Sequence, residues 1–261
     1  MEISLHNRNA LVGGSSRGIG KAIALQLAKS GAKVTLMARS KEGLENVLHE
    51  LAEFGEQPHD YLLVDFNNYE SFGNTLKDYF SKNKVDILVN NTQGPPSGNS
   101  LEVSPSDYQK AFDLLFKTVV LTTELALEHM KSNKWGRIIN VASVSVKEPL
   151  SYLALSNTIR AAVVTWAKSL ATDIAPHGIT VNSILTGYFN TERIAQLTQK
   201  KAEQLGIKTE EVRETMKQNV PMQRIGNPEE YAYLVTFLAS DKAAYITGSN
   251  IPIDGGLLKS L

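Results

Sequence analysis

The run Ala10-Leu-Val-Gly-Gly-Ser-Ser-Arg-Gly-Ile-Gly-Lys-Ala-Ile-Ala24 carries residue types suited to holding an anion. A short apolar run of strand type, Ala10–Val12, leads into Gly14, Gly18 and Gly20. Lys21 to Lys29 then carries apolar residues at helical spacing, and Gly31 sits where a helix C-terminal glycine belongs. Strand, glycine turn and helix bring unpaired backbone N–H groups and a positive helix end to one point, which suits a pyrophosphate. Other chemistries lack their residues. There is no cysteine, which excludes thiol nucleophiles, disulfides and cysteine–zinc sites. The five histidines do not cluster: His6 and His49 read as superficial, His59 as part of a turn, His129 as helical and His177 as part of a helix-ending turn. No metal is expected.

The elements that must position this turn follow from periodicity. Strand-like runs recur at Ala10–Val12, Val34–Met37, Tyr61–Val64, Val85–Val89, Arg137–Val141, Ile179–Ile184 and Asn250–Ile253. Between them Lys41–Phe54, Tyr69–Ser81, Ser106–Lys131 and Ser156–Ala175 read as helices, the last stopped by Pro176-His177-Gly178. These separations suit βαβ units, hence an α/β fold with a mostly parallel sheet and helices on both faces. No linker or repeat divides the chain, so residues 1–261 read as a single domain. Residues 190–219 break the alternation with a polar, amphipathic insertion. It is expected to lie over the C-terminal edge of the sheet as a substrate lid spanning about 188–222, where ligands bind in this architecture.

Bulk composition narrows the partners. Lys+Arg and Asp+Glu are both 27, so the net charge of zero gives no electrostatic reason to expect nucleic acid or an anionic membrane. The N-terminus lacks a signal-peptide pattern, and no apolar run approaches the roughly 18 residues of a membrane span. A cytoplasmic protein acting on a small molecule is expected.

Further motifs complete a pattern: Asp86-Ile-Leu-Val-Asn-Asn91, Gly136-Arg-Ile-Ile-Asn-Val-Ala-Ser143, Ala175-Pro-His-Gly-Ile-Thr-Val-Asn182 leading to Gly187, Gly226-Asn-Pro-Glu-Glu230, and Thr247-Gly-Ser-Asn-Ile-Pro-Ile-Asp-Gly-Gly256. From about residue 5 to residue 257 the chain resembles the short-chain dehydrogenase/reductase family, especially its 3-oxoacyl-carrier-protein reductases. The resemblance implies a three-layer, doubly wound Rossmann fold with about seven strands, a nicotinamide cofactor, and a homotetramer or homodimer. By position, Gly14, Ser16, Arg17, Gly18, Ile19 and Gly20 should wrap the phosphates, and Asp65 and Phe66 should meet the adenine. Asn91 should lie along the cofactor, with Gly187 and Thr191 near the nicotinamide amide. Small departures occur: Gly13 stands for the family's threonine, Thr92-Gln93 for its Ala-Gly, and Thr186 for its proline.

The second strand ends Leu36-Met37-Ala38-Arg39-Ser40. An NAD enzyme of this fold carries an acid there to accept from the ribose 2′-hydroxyl. Alignment puts Ala38 in that place, with Arg39 adjacent and Arg17 available from the glycine loop. Two guanidinium groups suit a 2′-phosphate, so NADP(H) is expected over NAD(H).

The family's Asn-Ser-Tyr-Lys tetrad is degenerate here. Alignment places Leu115 at the asparagine position, retains Ser143, and puts Ser156 and Arg160 at the tyrosine and lysine positions. An aliphatic hydroxyl is too weak an acid to replace the tyrosine, whereas Arg160 can still hold a ribose or an oxyanion. Substitute proton donors nearby are Tyr152, Tyr188 and Glu148, each of which could instead pack locally or stay solvated. Ser143 is a functional hydroxyl or one bonded to its own backbone. The expected activity is an NADP(H)-dependent interconversion of a carbonyl and an alcohol with an atypical proton donor. The alternatives are a catalytically silent NADP(H)-binding homologue, acting as sensor or partner subunit, and a cofactor-independent lyase like the halohydrin dehalogenases. The lyases also carry arginine at the lysine position but keep the tyrosine and block the nucleotide site. Substrate and reaction direction are not legible.

Overall fold

A computed structural model describes residues 2–54 and 57–260. Seven strands form one parallel sheet in the order β3-β2-β1-β4-β5-β6-β7. They are β1 (Asn9–Gly13), β2 (Lys33–Ala38), β3 (Asp60–Leu63), β4 (Ile87–Asn90), β5 (Gly136–Val141), β6 (Ile179–Thr186) and β7 (Asn250–Ile253). β4 and β5 are buried along their whole length and β1 nearly so, which is why they read as continuous apolar runs rather than alternating ones.

Nine α-helices accompany the sheet among the described residues: α1 (Gly18–Lys29), α2 (Lys41–Leu51), α3 (Tyr69–Lys82), α4 (Pro105–Phe112), α5 (Thr118–Asn133), α6 (Ala154–Ile174), α7 (Glu192–Leu205), α8 (Thr209–Asn219) and α9 (Pro228–Leu238). Leu27, Leu44, Val235 and Leu238, from α1, α2 and α9, fill the core on one face. Phe72, Leu76, Leu115, Met130 and Ile159 fill the other. The strand order reverses between β1 and β4, which opens the ligand crevice at their C-terminal ends.

The expected helix Ser106–Lys131 is corrected to three pieces. Ser104 and Asp107 form a capping box that starts α4 with Pro105 in its first turn. A π-helical turn, Asp113–Lys117, then separates α4 from α5. A π-turn adds one residue to the repeat without breaking the apolar stripe, so periodicity alone does not reveal it. The insertion at 190–219 is helical as expected, forming α7 and α8. No helix among the described residues is long and apolar enough to cross a membrane, and no group of acidic or histidine side chains there could hold a metal.

Candidate active site

The glycine loop between β1 and α1 is shaped by close approaches. Gly14 has φ +56°, and a Cβ there would stand 2.8 Å from Asn91 Nδ2. Gly18 also has φ +56°, with the Thr191 methyl 3.4 Å from where its Cβ would be. Positive φ at both positions, and the close Asn91 side chain at Gly14, favour glycine there. Ser15 ties the loop to β2: its buried Oγ accepts from Met37 N–H at 2.9 Å. Asn91 Nδ2 donates to Gly13 O at 3.0 Å, so Asn91 braces the loop from β4. Arg17 is the N-cap of α1 and leaves its side chain out of the cap, and no acid lies in the first turn. The helix therefore presents free N–H groups and its positive end to the crevice. A diphosphate fits this cradle.

Other residues expected around the cofactor are placed less simply. Arg39 is exposed just past β2, and Ser40 caps α2 by accepting from Gly43 N–H. Ser16 packs against Gly43. Ser16, Arg17, Gly18, Lys21, Asn46 and Glu192 are among the residues lining a polar cleft of about 610 Å³ there. Arg17 is ion-paired with Glu192 of α7, a partner that sequence reasoning missed. Asp65 accepts from Asn67 N–H at 3.0 Å and forms its own turn. The Phe66 ring packs against Phe72, centroids 5.3 Å apart, and Phe66 lines a small cavity with Asn90, Asn91 and Thr92. Gly187 N–H donates to Ile253 O at 3.1 Å, fixing the end of β6 to β7. Thr191 caps α7 by accepting from Ile194 N–H.

The catalytic cluster sits where β5 ends and α6 begins. Ser143 Oγ accepts from Ser145 N–H at 3.1 Å, the local backbone bond that competes with a substrate role. Ser156 is buried in the first turn of α6, and Arg160, one turn on, donates from Nε to its Oγ at 3.3 Å. Arg160 Nη1 donates to the Val141 carbonyl at the end of β5. Burial lowers the Arg160 pKa to about 10; Tyr231 acts in the opposite sense, and the neighbouring Arg193 guanidinium adds to the fall. At neutral pH Arg160 remains a cation, with N–H groups beyond those two still available. Leu115 lies buried in the π-turn, so this position offers no polar side chain.

The substitute acids part company. Glu148 is corrected outright, because its carboxylate turns away to accept from the N–H groups of Lys259 and Ser260, each at 2.8 Å. Those two bonds hold its pKa low. Tyr152 precedes α6, whose N-cap is Leu153, so it does not lie one helical turn below Ser156 as the sequence allowed. Instead Tyr152 meets Tyr188: burial raises the Tyr152 pKa to about 12, and the Tyr188 hydroxyl pushes the same way. Tyr188 is also raised by burial. Both remain neutral phenols, able to donate a proton and poor at accepting one.

Sequence reasoning missed Tyr231, of α9. It is wholly buried, with the Thr186 hydroxyl donating to its oxygen at 3.1 Å and the Phe189 ring edge-on at 5.3 Å. Thr186, noted as a departure from the family's proline, thus has a phenol behind it. Spacing carries no signal for that pairing, because 45 residues separate the two.

A parallel doubly wound sheet with a diphosphate cradle at its switch point defines a nucleotide-dependent oxidoreductase scaffold. The chain belongs to the short-chain dehydrogenase/reductase family: the family described as Enoyl-(Acyl carrier protein) reductase matches residues 14–258. It is 32% identical over 259 residues to the NADPH-dependent reductase BacG of Bacillus subtilis, covering 98% of this chain and 100% of that protein. It is 33% identical over 261 residues to the 3-oxoacyl-[acyl-carrier-protein] reductase FabG of Aquifex aeolicus, with the same coverage of 98% and 100%. Its fold is similar to L-sorbose reductase from Gluconobacter frateurii, solved with NADPH and L-sorbose, at TM-score 0.92 and 30% identity over the whole of both chains.

Proposed function

We propose that this protein is an NADP(H)-dependent oxidoreductase that interconverts a carbonyl and an alcohol, with Arg160 and Ser156 in place of the family's lysine and tyrosine. The observation that carries the reading is the intact cradle: Gly14 and Gly18 at positive φ, Gly14 closely approached by Asn91, ahead of a helix N-terminus with no side-chain cap. Similar proteins named as NADPH-dependent support the choice of dinucleotide. Arg39, exposed past β2 with no ion-pair partner among the described residues, supports preference for the 2′-phosphate over NAD(H).

When bound, the reduced nicotinamide supplies a hydride to the carbonyl carbon. As the C=O π pair moves to oxygen, the growing negative charge needs donors already in place. Arg160 is the residue suited to this, a fixed cation held by Ser156 Oγ and the Val141 carbonyl. Ser156, whose oxygen accepts from Arg160, keeps its own O–H to donate. The alkoxide then takes a proton from a neutral hydroxyl, for which Tyr152 and Tyr188, paired beside the start of α6, are the candidates. Residues 188–222 act as the lid, within a single domain in the cytoplasm. A homotetramer follows from family likeness.

The test is NADPH oxidation against a panel of ketones, aldehydes and acyl thioesters, with NADPH affinity measured in parallel. Turnover that falls at least tenfold in Arg160→Ala supports the reading. Tight NADPH binding with no turnover on any substrate would make the protein a silent binder, which the loss of the acid at Ser156 and of the polar group at Leu115 favours.

A further inference from the structure

β2 ends in Ala38 and is followed by Arg39, with no acid there to accept from a ribose 2′-hydroxyl. A carboxylate nevertheless reaches the glycine loop, from α7. Arg17 and Glu192 both line the polar cleft of about 610 Å³ beside that loop, and there they form an ion pair. The backbone sets this pairing. Thr191 caps α7 by accepting from Ile194 N–H, and its methyl lies 3.4 Å from the point where a Gly18 Cβ would stand. The start of α7 therefore rests on the glycine loop and brings Glu192, the first residue of the helix, against Arg17.

The fixed charges of this cleft cancel. Lys21, which also lines it, donates to Glu50 at 2.8 Å, so Arg17 and Lys21 each already hold a carboxylate. A phosphate monoester carries about −1.5 to −2 at neutral pH, and it binds a guanidinium through the same N–H groups that a carboxylate uses. Arg17 cannot serve both anions without setting two like charges side by side, which is unfavourable. One must give way. The Arg17 and Glu192 side chains are 56% and 60% exposed, and a pair so exposed is held weakly enough to exchange.

We propose that Glu192 is a specificity-determining residue for the dinucleotide: its carboxylate competes with the 2′-phosphate for Arg17, and so holds back NADPH while leaving NADH untouched. The proposal rests on the oxidoreductase reading, in which Arg17 and Arg39 receive the 2′-phosphate. The two arginines are not equivalent. Arg39 has no ion-pair partner among the described residues and takes a phosphate without exchange. Arg17 must first leave Glu192. The preference for NADP(H) is therefore narrower than two open guanidinium groups would make it. NADH, which carries a hydroxyl in place of the phosphate, leaves the pair as it is.

The test is fluorescence titration of the full chain with NADPH and with NADH, reading the ratio of the two dissociation constants, with thermal melting to check folding. Glu192→Gln keeps the side chain's shape and removes its charge, and Glu192→Ala repeats the measurement without the amide. Either should tighten NADPH by about three- to tenfold and leave NADH within about twofold. An exposed ion pair accounts for up to about fivefold of that gain, and lifting a carboxylate away from a dianion supplies the rest. In an Arg17→Ala background the same substitutions should move NADPH by less than about twofold, because no guanidinium is left to contest. An unchanged NADPH affinity in both variants overturns the proposal. So does an equal gain in the Arg17→Ala background, which would make Glu192 a general repulsive charge. A loss of NADH binding alone also overturns it, since Glu192 would then be the acceptor for the 2′-hydroxyl. If neither dinucleotide binds the wild-type chain, the oxidoreductase reading itself falls; if both bind and the ratio does not move, only the competition does.

Discussion

The proton inventory of the cleft predicts an unusual pH profile. With its pKa raised to about 12, Tyr152 is a neutral phenol throughout the neutral range. Tyr188 moves in the same direction, and Arg160, at about 10, is still charged. Carbonyl reduction draws a proton from a group that is protonated throughout, so its single-turnover rate should be flat from pH 6 to 9. Alcohol oxidation needs the same group deprotonated, so its rate should climb about tenfold per pH unit across that range without levelling. Stopped-flow absorbance of the nicotinamide at saturating substrate measures both arms. Ser156→Tyr supplies the contrast. A tyrosine at position 156 would sit one helical turn from the Arg160 guanidinium, and a cation within about 4–6 Å lowers a phenol by about 1–3 pKa units. The variant should therefore show a break in both arms below pH 9 and a faster oxidation at neutral pH. A break between pH 6 and 9 in the wild-type reductive arm would refute the reasoning, because some other group would be supplying the proton.

Three further outcomes are expected. Arg39→Ala should weaken NADPH by about tenfold or more while leaving NADH nearly unchanged, as read by fluorescence titration; equal losses would remove the 2′-phosphate assignment. Tyr231→Phe should cost only about 0.5–1.5 kcal/mol in urea denaturation, because the half-buried Thr186 can turn to water, whereas Tyr231→Ala should cost about 3–5 kcal/mol for the cavity. Glu230 carries a pKa of about 2, set chiefly by its paired bonds to Arg224. The stability it adds is present above its unfolded value of about 4.5 and is lost as pH falls through about 2. Since the pair is exposed, Glu230→Gln should cost at most about 1 kcal/mol at pH 7, a difference that closes in acid denaturation curves below pH 4.

The sheet and the cradle were legible because each depends on local pattern. Continuous apolar runs mark strands buried on both faces, and Gly14 and Gly18 mark backbone that other residues cannot follow. Side-chain destinations depend on distant partners, and there the sequence was mute. Glu148 is spaced well from Ser143 to serve the cleft, but the C-terminal backbone, more than a hundred residues on, captures it. Phe66 stands beside the adenine position in the alignment, which left its packing against Phe72 unread. Tyr231 directly follows the Gly226–Glu230 motif and drew no assignment from the sequence, and only the fold brings its hydroxyl to Thr186. Leu115 could be placed at the tetrad's asparagine by alignment, but the π-turn that carries it left no trace in the periodicity.

The first turn of α7 touches both sides of the crevice. Glu192 grips Arg17 on the glycine-loop side, and Arg193 grips the Pro95 carbonyl on the other. α7 is thereby tied to the glycine loop by an exposed ion pair and to the loop after β4 by one backbone hydrogen bond, so its first turn is held from two sides before any ligand arrives.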